Sequence, residues 1–175
     1  HLFLKTFEEL GVNEAIRDAI VELGFEHPMP VQEEVIPYLL GENNDVIALA
    51  QTGTGKTAAY GIPVLQKTDA TIKTTQALIL SPTRELCLQI ADDLKSFGKN
   101  IDGLHIVAVY GGASITTQIH ELRHGAQIIV ATPGRLIDLM ERKVVKLDNL
   151  RNIVLDEADE MLNMGFSDSI NTIFE

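Results

Sequence analysis

The segment 50–57, with the sequence AQTGTGKT, has the residue types of a loop that binds phosphate. Gly53 and Gly55 let the backbone turn tightly and point its N–H groups inward, where they form a nest for phosphate oxygens. Lys56 would neutralise the β- and γ-phosphates of a nucleotide, and the hydroxyl of Thr57 could bind Mg²⁺. The alternative is an ordinary strand–turn–helix rich in small residues, but the motif lies between a strand pattern and a helix pattern, as phosphate binding requires. We assign these loop residues to nucleotide binding: Gln51, Thr52, Gly53, Thr54, Gly55, Lys56 and Thr57.

Four acids, Asp156, Glu157, Asp159 and Glu160, follow the apolar run 153–155 within five positions. A phosphate loop that uses Mg²⁺ needs a carboxylate on the metal from a neighbouring strand end, and Asp156 occupies such an end. Glu157 could then take a proton from an attacking water. The alternative is a helix N-terminus, where the helix dipole favours acids. That alternative explains Asp159 and Glu160, but it does not explain an acid directly at the end of a buried strand.

Short apolar runs alternate with helical patterns along the chain, and these elements must position the loop and the acids. The runs predicted to be strands are 45–49, 77–80, 106–110, 128–131 and 153–155. Helices are predicted around 15–23 and from Pro30, and then at 57–65, 85–97, 114–124 and 133–141. Runs that are apolar at consecutive positions predict strands buried on both faces. The alternation predicts one α/β domain with a parallel sheet between helices, whose ligands bind beyond the carboxyl ends of the strands.

The composition limits the partners and the compartment of the protein. The 14 basic and 25 acidic residues among 175 give a net charge of −11, which argues against nucleic acid unless a local surface binds it. Cys87 is the only cysteine, so no disulfide can form within the chain and we expect a reducing, cytoplasmic location. No apolar run approaches the roughly 20 residues of a membrane span, so we expect no membrane partner.

The acids and the phosphate loop together resemble the DEAD-box family of ATP-dependent RNA helicases, and the stretch DEADEMLNMGF is most similar to its bacterial members. Further family motifs occur in the right order. They are Phe7, GFEHPMPVQ at 24–32, PTREL at 82–86, GG at 111–112 and TPGR at 132–135. The resemblance implies a RecA-like ATP-binding domain over residues 1–175, with an adenine-recognition segment at 5–33.

The resemblance also implies roles for residues of the nucleotide site, with ATP and Mg²⁺ as cofactors. Gln32 would hydrogen-bond the adenine edge, because an amide matches its donor–acceptor pair. Phe7 would stack on the adenine ring, and Phe25 belongs to the same nucleotide-binding segment. The implied catalytic residues are Lys56, Asp156 and Glu157, and the implied Mg²⁺ ligands are Thr57 and Asp156.

On the RNA side, the resemblance implies a site for the sugar–phosphate backbone with little sequence specificity. Its residues would be Pro82, Thr83, Arg84, Gly111, Gly112, Thr132, Pro133, Gly134 and Arg135, and Asp159 would couple them to the nucleotide site. Glycine N–H groups, hydroxyls and arginines suit phosphate, and such few, local contacts are compatible with the acidic net charge. Plain turn formation is the alternative for Gly112 and Gly134.

The sequence departs from the family pattern at two places. Met29 replaces the usual Ser or Thr, so we expect the hydroxyl contact with the phosphate loop to be missing. The Ser-Ala-Thr motif and the second RecA-like domain, with its arginine finger, are absent from these 175 residues. We therefore expect a sheet that is truncated before its last strands, and a fragment that is nearly inactive alone.

The Ser-Ala-Thr strand would separate the runs 45–49 and 153–155. We expect that gap to be filled by residues beyond this fragment, by a strand from another chain, or by closure of the two flanking strands. Direct pairing of the flanking strands would be a departure from the family and would displace Asp156 from Lys56.

Three rival functions share parts of this pattern. His120 and His124 form a literal H-E-x-x-H with Glu121 as a candidate base, and Glu141 is a possible third ligand of zinc. A phosphate-loop ATPase without nucleic acid would share Lys56 and Asp156, but it would not need the RNA-side motifs. A nucleotide-dependent interaction module without useful catalysis is the third alternative.

Overall fold

The computed structural model describes residues 4–41, 46–49 and 55–174, with the backbone alone for 46–49. Within these residues, five parallel strands form one sheet in the order β1-β5-β2-β4-β3. The strands are β1 Val46–Leu49, β2 Ala77–Leu80, β3 Ile106–Val109, β4 Ile128–Ala131 and β5 Asn152–Asp156. The helices are α1 Glu14–Glu22, α2 Pro30–Leu40, α3 Lys56–Lys67, α4 Arg84–Phe97, α5 Ile115–Arg123, α6 Pro133–Glu141, α7 Ala158–Asn163 and α8 Ser167–Ile173. None of these helices is long and apolar enough to cross a membrane.

Alternate residues of the strands pack into two different hydrophobic clusters, so helices cover both faces of the sheet. In β2, Ala77 and Ile79 pack into the cluster that includes residues of α1 to α4. Leu78 and Leu80 pack into the cluster that includes residues of α6, α7 and α8. Successive side chains of a strand point to opposite faces, so a strand covered on both sides is apolar at every position. The predicted α/β architecture is confirmed.

The last strand, β5, does not fit the prediction of strands buried on both faces. Asn152, Val154 and Asp156 are buried, whereas Ile153 and Leu155 on the opposite face are only half-buried. The helices on the side of Leu155 do not cover this strand completely. Burial on both faces is correct for β2 and β4 and wrong for β5.

Strands β1 and β5 are direct neighbours, with Ile47 opposite Val154 and Leu49 opposite Asp156. Closure of the flanking strands is therefore the outcome among the three possibilities considered. The expectation that this pairing would displace Asp156 from Lys56 is wrong, because the two side chains form an ion pair. The register explains why, since it places Asp156 beside the last residue of the strand from which the chain runs on to Lys56.

Candidate functional site

Except for Phe7, Phe25 and Gln32, which precede the first strand, the predicted site residues that the structure describes lie at or after the carboxyl ends of the five strands, along one edge of the sheet. From one end of the sheet to the other, the strands lead into Lys56 after β1, Asp156 at the end of β5, 82–84 after β2, 132–135 after β4, and 111–112 after β3. In open parallel sheets, this edge is where ligands bind. The strand order also divides the edge, with the phosphate-loop and acid residues on β1 and β5 and the other three segments on β2, β4 and β3.

At the β1–β5 end, Asp156 is completely buried and both its carboxylate oxygens have partners. The Nζ of Lys56 lies 2.5 Å from Oδ1, and the hydroxyl of Tyr60 donates to Oδ2 at 2.7 Å. Lys56 and Tyr60 are four residues apart on α3, so one face of this helix presents both groups to the acid. Burial and the charge of Asp156 raise the pKa of Tyr60 well above its ordinary value, so Tyr60 stays a neutral donor.

Glu157 adopts a left-handed backbone conformation, with φ 52° and ψ 52°, directly before α7. This conformation costs a residue with a Cβ roughly 1–2 kcal/mol, and such strain is concentrated at functional sites. Glu157 is half-buried, whereas Asp159 and Glu160 are exposed in the first turn of α7. The helix dipole accounts for acids at those two positions. The coupling role of Asp159 stays a prediction.

A cavity of about 480 Å³ lies beside the start of α3. It is lined by Gly24, Phe25, Glu26, His27, Met29, Gln32 and Gly55. Phe25 and Gln32 are thus placed where an adenine base could bind next to the phosphate loop. Phe7 is only 6 % exposed and packs against Phe25, with ring centroids 6.1 Å apart. Phe7 supports the cavity wall from behind, and its stacking on adenine stays a prediction.

Gln32 connects the cavity to the end of the phosphate loop. Its Oε1 accepts from the backbone N–H of Met29 at 2.9 Å, and its Nε2 donates to the carbonyl of Gly55 at 3.2 Å. A Cβ on Gly55, whose φ is +84°, would lie 2.6 Å from the sulfur of Met29. Met29 therefore packs over the glycine, and Gln32 makes the polar contact with the loop. Four residues assigned to nucleotide binding, Gln51, Thr52, Gly53 and Thr54, lie outside the described residues.

Between β2 and α4, the residues become more exposed to solvent along the chain. Pro82 is buried, Thr83 is half-buried and Arg84 is exposed. The hydroxyl of Thr83 accepts from the N–H of Leu86 at 3.2 Å and caps the helix. The guanidinium of Arg84 lies 5.2 Å from the ring centroid of Tyr110, within range of a cation–π contact.

Three glycines of the predicted RNA side are exposed, and a Cβ on any of them would meet nothing within 4 Å. Gly112 has a φ of +82°, so turn formation explains its identity. Gly111 and Gly134 have neither a positive φ nor a close neighbour, so turn formation and packing do not explain them. The role of Gly111 and Gly134 in RNA binding stays a prediction.

The segment after β4 contributes Thr132, buried Pro133 and half-buried Arg135. Pro133 is the first residue of α6, where a proline is well tolerated. Both terminal nitrogens of Arg135 donate hydrogen bonds, Nη1 to Oε1 of Gln118 at 2.9 Å and Nη2 to the carbonyl of Ala113 at 3.2 Å. Arg135 therefore has a fixed orientation toward the Gly111–Gly112 turn.

The H-E-x-x-H sequence lies at the end of α5, away from this edge's phosphate-loop end. His120 and His124 are exposed, and their Nε2 atoms are 3.4 Å apart. Among the described residues, however, no group of three histidine, cysteine or acidic side chains could hold a metal ion. A catalytic zinc site keeps three protein ligands, so the zinc-peptidase alternative lacks its metal site.

The chain has close counterparts among known proteins. The chain is 48 % identical over 171 residues to the ATP-dependent RNA helicase DeaD of Escherichia coli K12, covering 98 % of this chain and 27 % of the relative. It is also 48 % identical to the ATP-dependent RNA helicase CshA of Listeria monocytogenes, covering 97 % of this chain and 32 % of that relative. This chain thus spans about a third or less of each relative's length.

Solved structures give the same result for the fold. A DEAD box protein from Methanococcus jannaschii superposes with a TM-score of 0.89 at 41 % identity, covering 98 % of this chain and 46 % of that one. A hypothetical ATP-dependent RNA helicase from Sulfolobus tokodaii gives 0.81 at 42 % identity, covering 92 % and 46 %. The predicted RecA-like fold is therefore confirmed, and the expectation that direct pairing of β1 and β5 departs from the family stays a prediction. The sequence model of the DEAD/DEAH box helicases matches residues 29–175, and the chain belongs to this family.

Proposed function

We propose that this chain is the ATP-binding half of an ATP-dependent RNA helicase, which hydrolyses ATP together with a second RecA-like domain to unwind or remodel RNA. The observation that carries the proposal is the division of the carboxyl edge. The residues predicted for nucleotide chemistry follow or end β1 and β5, and the residues predicted for RNA follow β2, β4 and β3. The similarity to relatives that are named ATP-dependent RNA helicases supports the same activity.

On the nucleotide half, the proposal assigns Lys56 to the β- and γ-phosphates. In the structure, Lys56 is paired with Asp156, and an incoming phosphate would offer it a second anion. A buried carboxylate and the hydroxyl of Thr57 are hard oxygen donors, which fits Mg²⁺ held by Asp156 and Thr57. When bound, Mg²⁺ supplies positive charge that neutralises the phosphate oxygens. Tyr60 would keep the second oxygen of Asp156 in place.

Glu157 acts in this proposal as the general base. It takes a proton from the water that attacks the γ-phosphate, and the products are ADP and phosphate. Gln32 selects adenine with an amide that already lies in the wall of the cavity. The bonds to Met29 and Gly55 use one N–H and one lone pair of this amide, so its second N–H and second lone pair could bond the adenine edge and link base recognition to the phosphate loop.

On the RNA half, the proposal assigns the exposed glycines, Thr83, Thr132 and the two arginines to the sugar–phosphate backbone. Backbone N–H groups and hydroxyls bind phosphate without adding charge, which reconciles RNA with a net charge of −11. Arg84 and Arg135 supply the charged contacts. We place the protein in the cytoplasm, in line with its bacterial relatives and its reduced cysteine.

The test is ATP turnover by the full-length protein with and without single-stranded RNA. We expect RNA to stimulate turnover, and Glu157→Gln to lose about 100-fold or more while it still binds ATP·Mg²⁺. Lys56→Ala should weaken nucleotide binding itself. Turnover that does not respond to RNA would favour the phosphate-loop ATPase without nucleic acid. Normal hydrolysis by Glu157→Gln would refute the assignment of the base.

A further inference from the structure

Gln118 is the buried residue of helix α5, and it is polar. Its side chain is 5 % exposed, and its amide makes three hydrogen bonds. Oε1 accepts from the backbone N–H of Tyr110 at 3.3 Å and from Nη1 of Arg135 at 2.9 Å, and Nε2 donates to the carbonyl of Tyr110 at 3.1 Å. Burying an amide is unfavourable unless its donor and acceptor are both bonded. Gln118 meets this condition through Arg135, which is predicted to bind RNA, and through Tyr110, which directly precedes the predicted glycine pair.

The two bonds to Tyr110 extend the edge of the sheet. Strand β3 is the last strand in the order and ends at Val109, so Tyr110 has no neighbouring strand on its outer side within the described sheet. The side-chain amide of Gln118 pairs with both backbone groups of Tyr110, as a neighbouring strand would. The next two residues are Gly111 and Gly112. Gln118 therefore fixes the point from which the glycine pair leaves the sheet.

Arg135 and Arg84 are tied to the same point. Arg135 donates to Gln118, which holds Tyr110 directly before the glycine pair. It also donates to the carbonyl of Ala113, directly after the pair. The guanidinium of Arg84 lies over the ring of Tyr110. The three RNA-side segments follow three different strands, and they meet through Gln118 and the residue it holds.

We propose that Gln118 is a positioning residue of the RNA site, which fixes the glycine pair, Arg135 and, through Tyr110, Arg84 as one preformed surface for the sugar–phosphate backbone of RNA. This inference rests on the proposed RNA function. Gln118 is too buried to touch RNA and acts through the residues it holds. Residues that are already ordered before RNA binds lose no further conformational entropy on binding. Preorganisation of this surface therefore increases the affinity for RNA.

The experiment measures RNA-stimulated ATP turnover of the full-length protein, with separate KM values for single-stranded RNA and for ATP. Gln118→Leu removes all three hydrogen bonds at similar volume. We expect the RNA KM to rise about tenfold, the change expected for a lost hydrogen bond of ordinary strength. The ATP KM and the kcat at saturating RNA should stay within about twofold of the parent.

Gln127→Leu is the matched control. Gln127 is also completely buried, and its amide bonds the backbone of His105 at 2.7 Å and of Gly103 at 3.1 Å. It lies before β4, at the opposite edge of the sheet. The control loses a comparable buried amide, so it should lower the melting temperature without a selective rise in RNA KM.

Gln118→Glu keeps the acceptor for Arg135 but cannot donate to Tyr110, and it decides the test if the leucine variant does not fold. We expect its RNA KM to rise about threefold, with an unchanged ATP KM. Two results would overturn the positioning role alone. One is a folded Gln118 variant whose RNA KM equals that of the parent. The other is a rise in RNA KM that is matched by an equal rise in ATP KM and by an equal rise in Gln127→Leu. A parent protein that neither binds RNA nor responds to it would overturn the proposed function as well.

Discussion

The hydrogen bond from Tyr60 to Asp156 can be removed by deleting one oxygen atom, because Tyr60→Phe keeps the ring and loses only the hydroxyl. Both residues are fully buried, so water cannot replace the bond and solvent does not screen it. A hydrogen bond to a charged group contributes about 1.5–3 kcal/mol. We therefore expect Tyr60→Phe to lower the free energy of unfolding by about that amount, which corresponds to about 3–12 °C in melting temperature for a domain of this size.

The assay is urea unfolding followed by circular dichroism, since the chain contains no tryptophan. Tyr38→Phe is the control, because Tyr38 is 55 % exposed on α2 and substitutions at exposed positions usually change stability little. A double-mutant cycle with Asp156→Asn isolates the pair, and the two losses should not add. An unfolding midpoint of Tyr60→Phe equal to that of the parent would refute the reasoning about this buried bond.

Three further predictions concern single residues. Gln32→Ala should lose about 1–3 kcal/mol of preference for ATP over GTP, the value of a bidentate base contact. Equal binding of ATP and GTP by the parent protein in a competition titration would contradict the role of Gln32. Glu157→Gly should relieve the strain of the left-handed backbone, so the full-length protein should be as stable as the parent or about 1 kcal/mol more stable. The same substitution should abolish ATP turnover. A clear loss of stability in urea unfolding would be evidence against the strain. Burial raises the pKa of Cys87 to about 12, so its thiol is neutral at pH 8. The thiol should therefore react with iodoacetamide only after unfolding. Rapid alkylation of the native protein would show instead that the thiol is accessible.

The sequence was sufficient to predict the five strands, the helices α1 to α6 and the edge that we propose as the site. Consecutive apolar residues in β2 and β4 predict strands covered on both faces, and the structure has them between the same residues. The positions that follow such strands can be read directly from the chain, and the resemblance to the helicase family supplies their predicted roles. The order of the strands could not be predicted from the residues, because apolar runs of similar composition carry no information about their neighbours.

Residues that depend on distant partners were missed. Tyr60 lies in a run of buried residues on α3 and looks like a core residue, and its hydrogen-bond partner is 96 positions away. Gln118 lies on the same face of α5 as Ile115, Ile119 and Leu122, but its polar type gives no sign of its burial or of its partners. The left-handed conformation of Glu157 was also unpredictable, because nothing in the type of this residue favours a positive φ. Helices α7 and α8 were likewise not predicted beyond the acids at the start of α7.

The central claim is that one edge of the sheet binds nucleotide at its β1–β5 end and RNA at its β2–β4–β3 end. Hydrogen–deuterium exchange of the full-length protein, with a non-hydrolysable ATP analogue, with single-stranded RNA and with both, tests it directly. The nucleotide should slow exchange around Lys56 and Asp156, and RNA should slow exchange at 82–84, 110–112 and 132–135. Protection of the same segments by both ligands, or RNA protection that leaves those three segments unchanged, would contradict the claim.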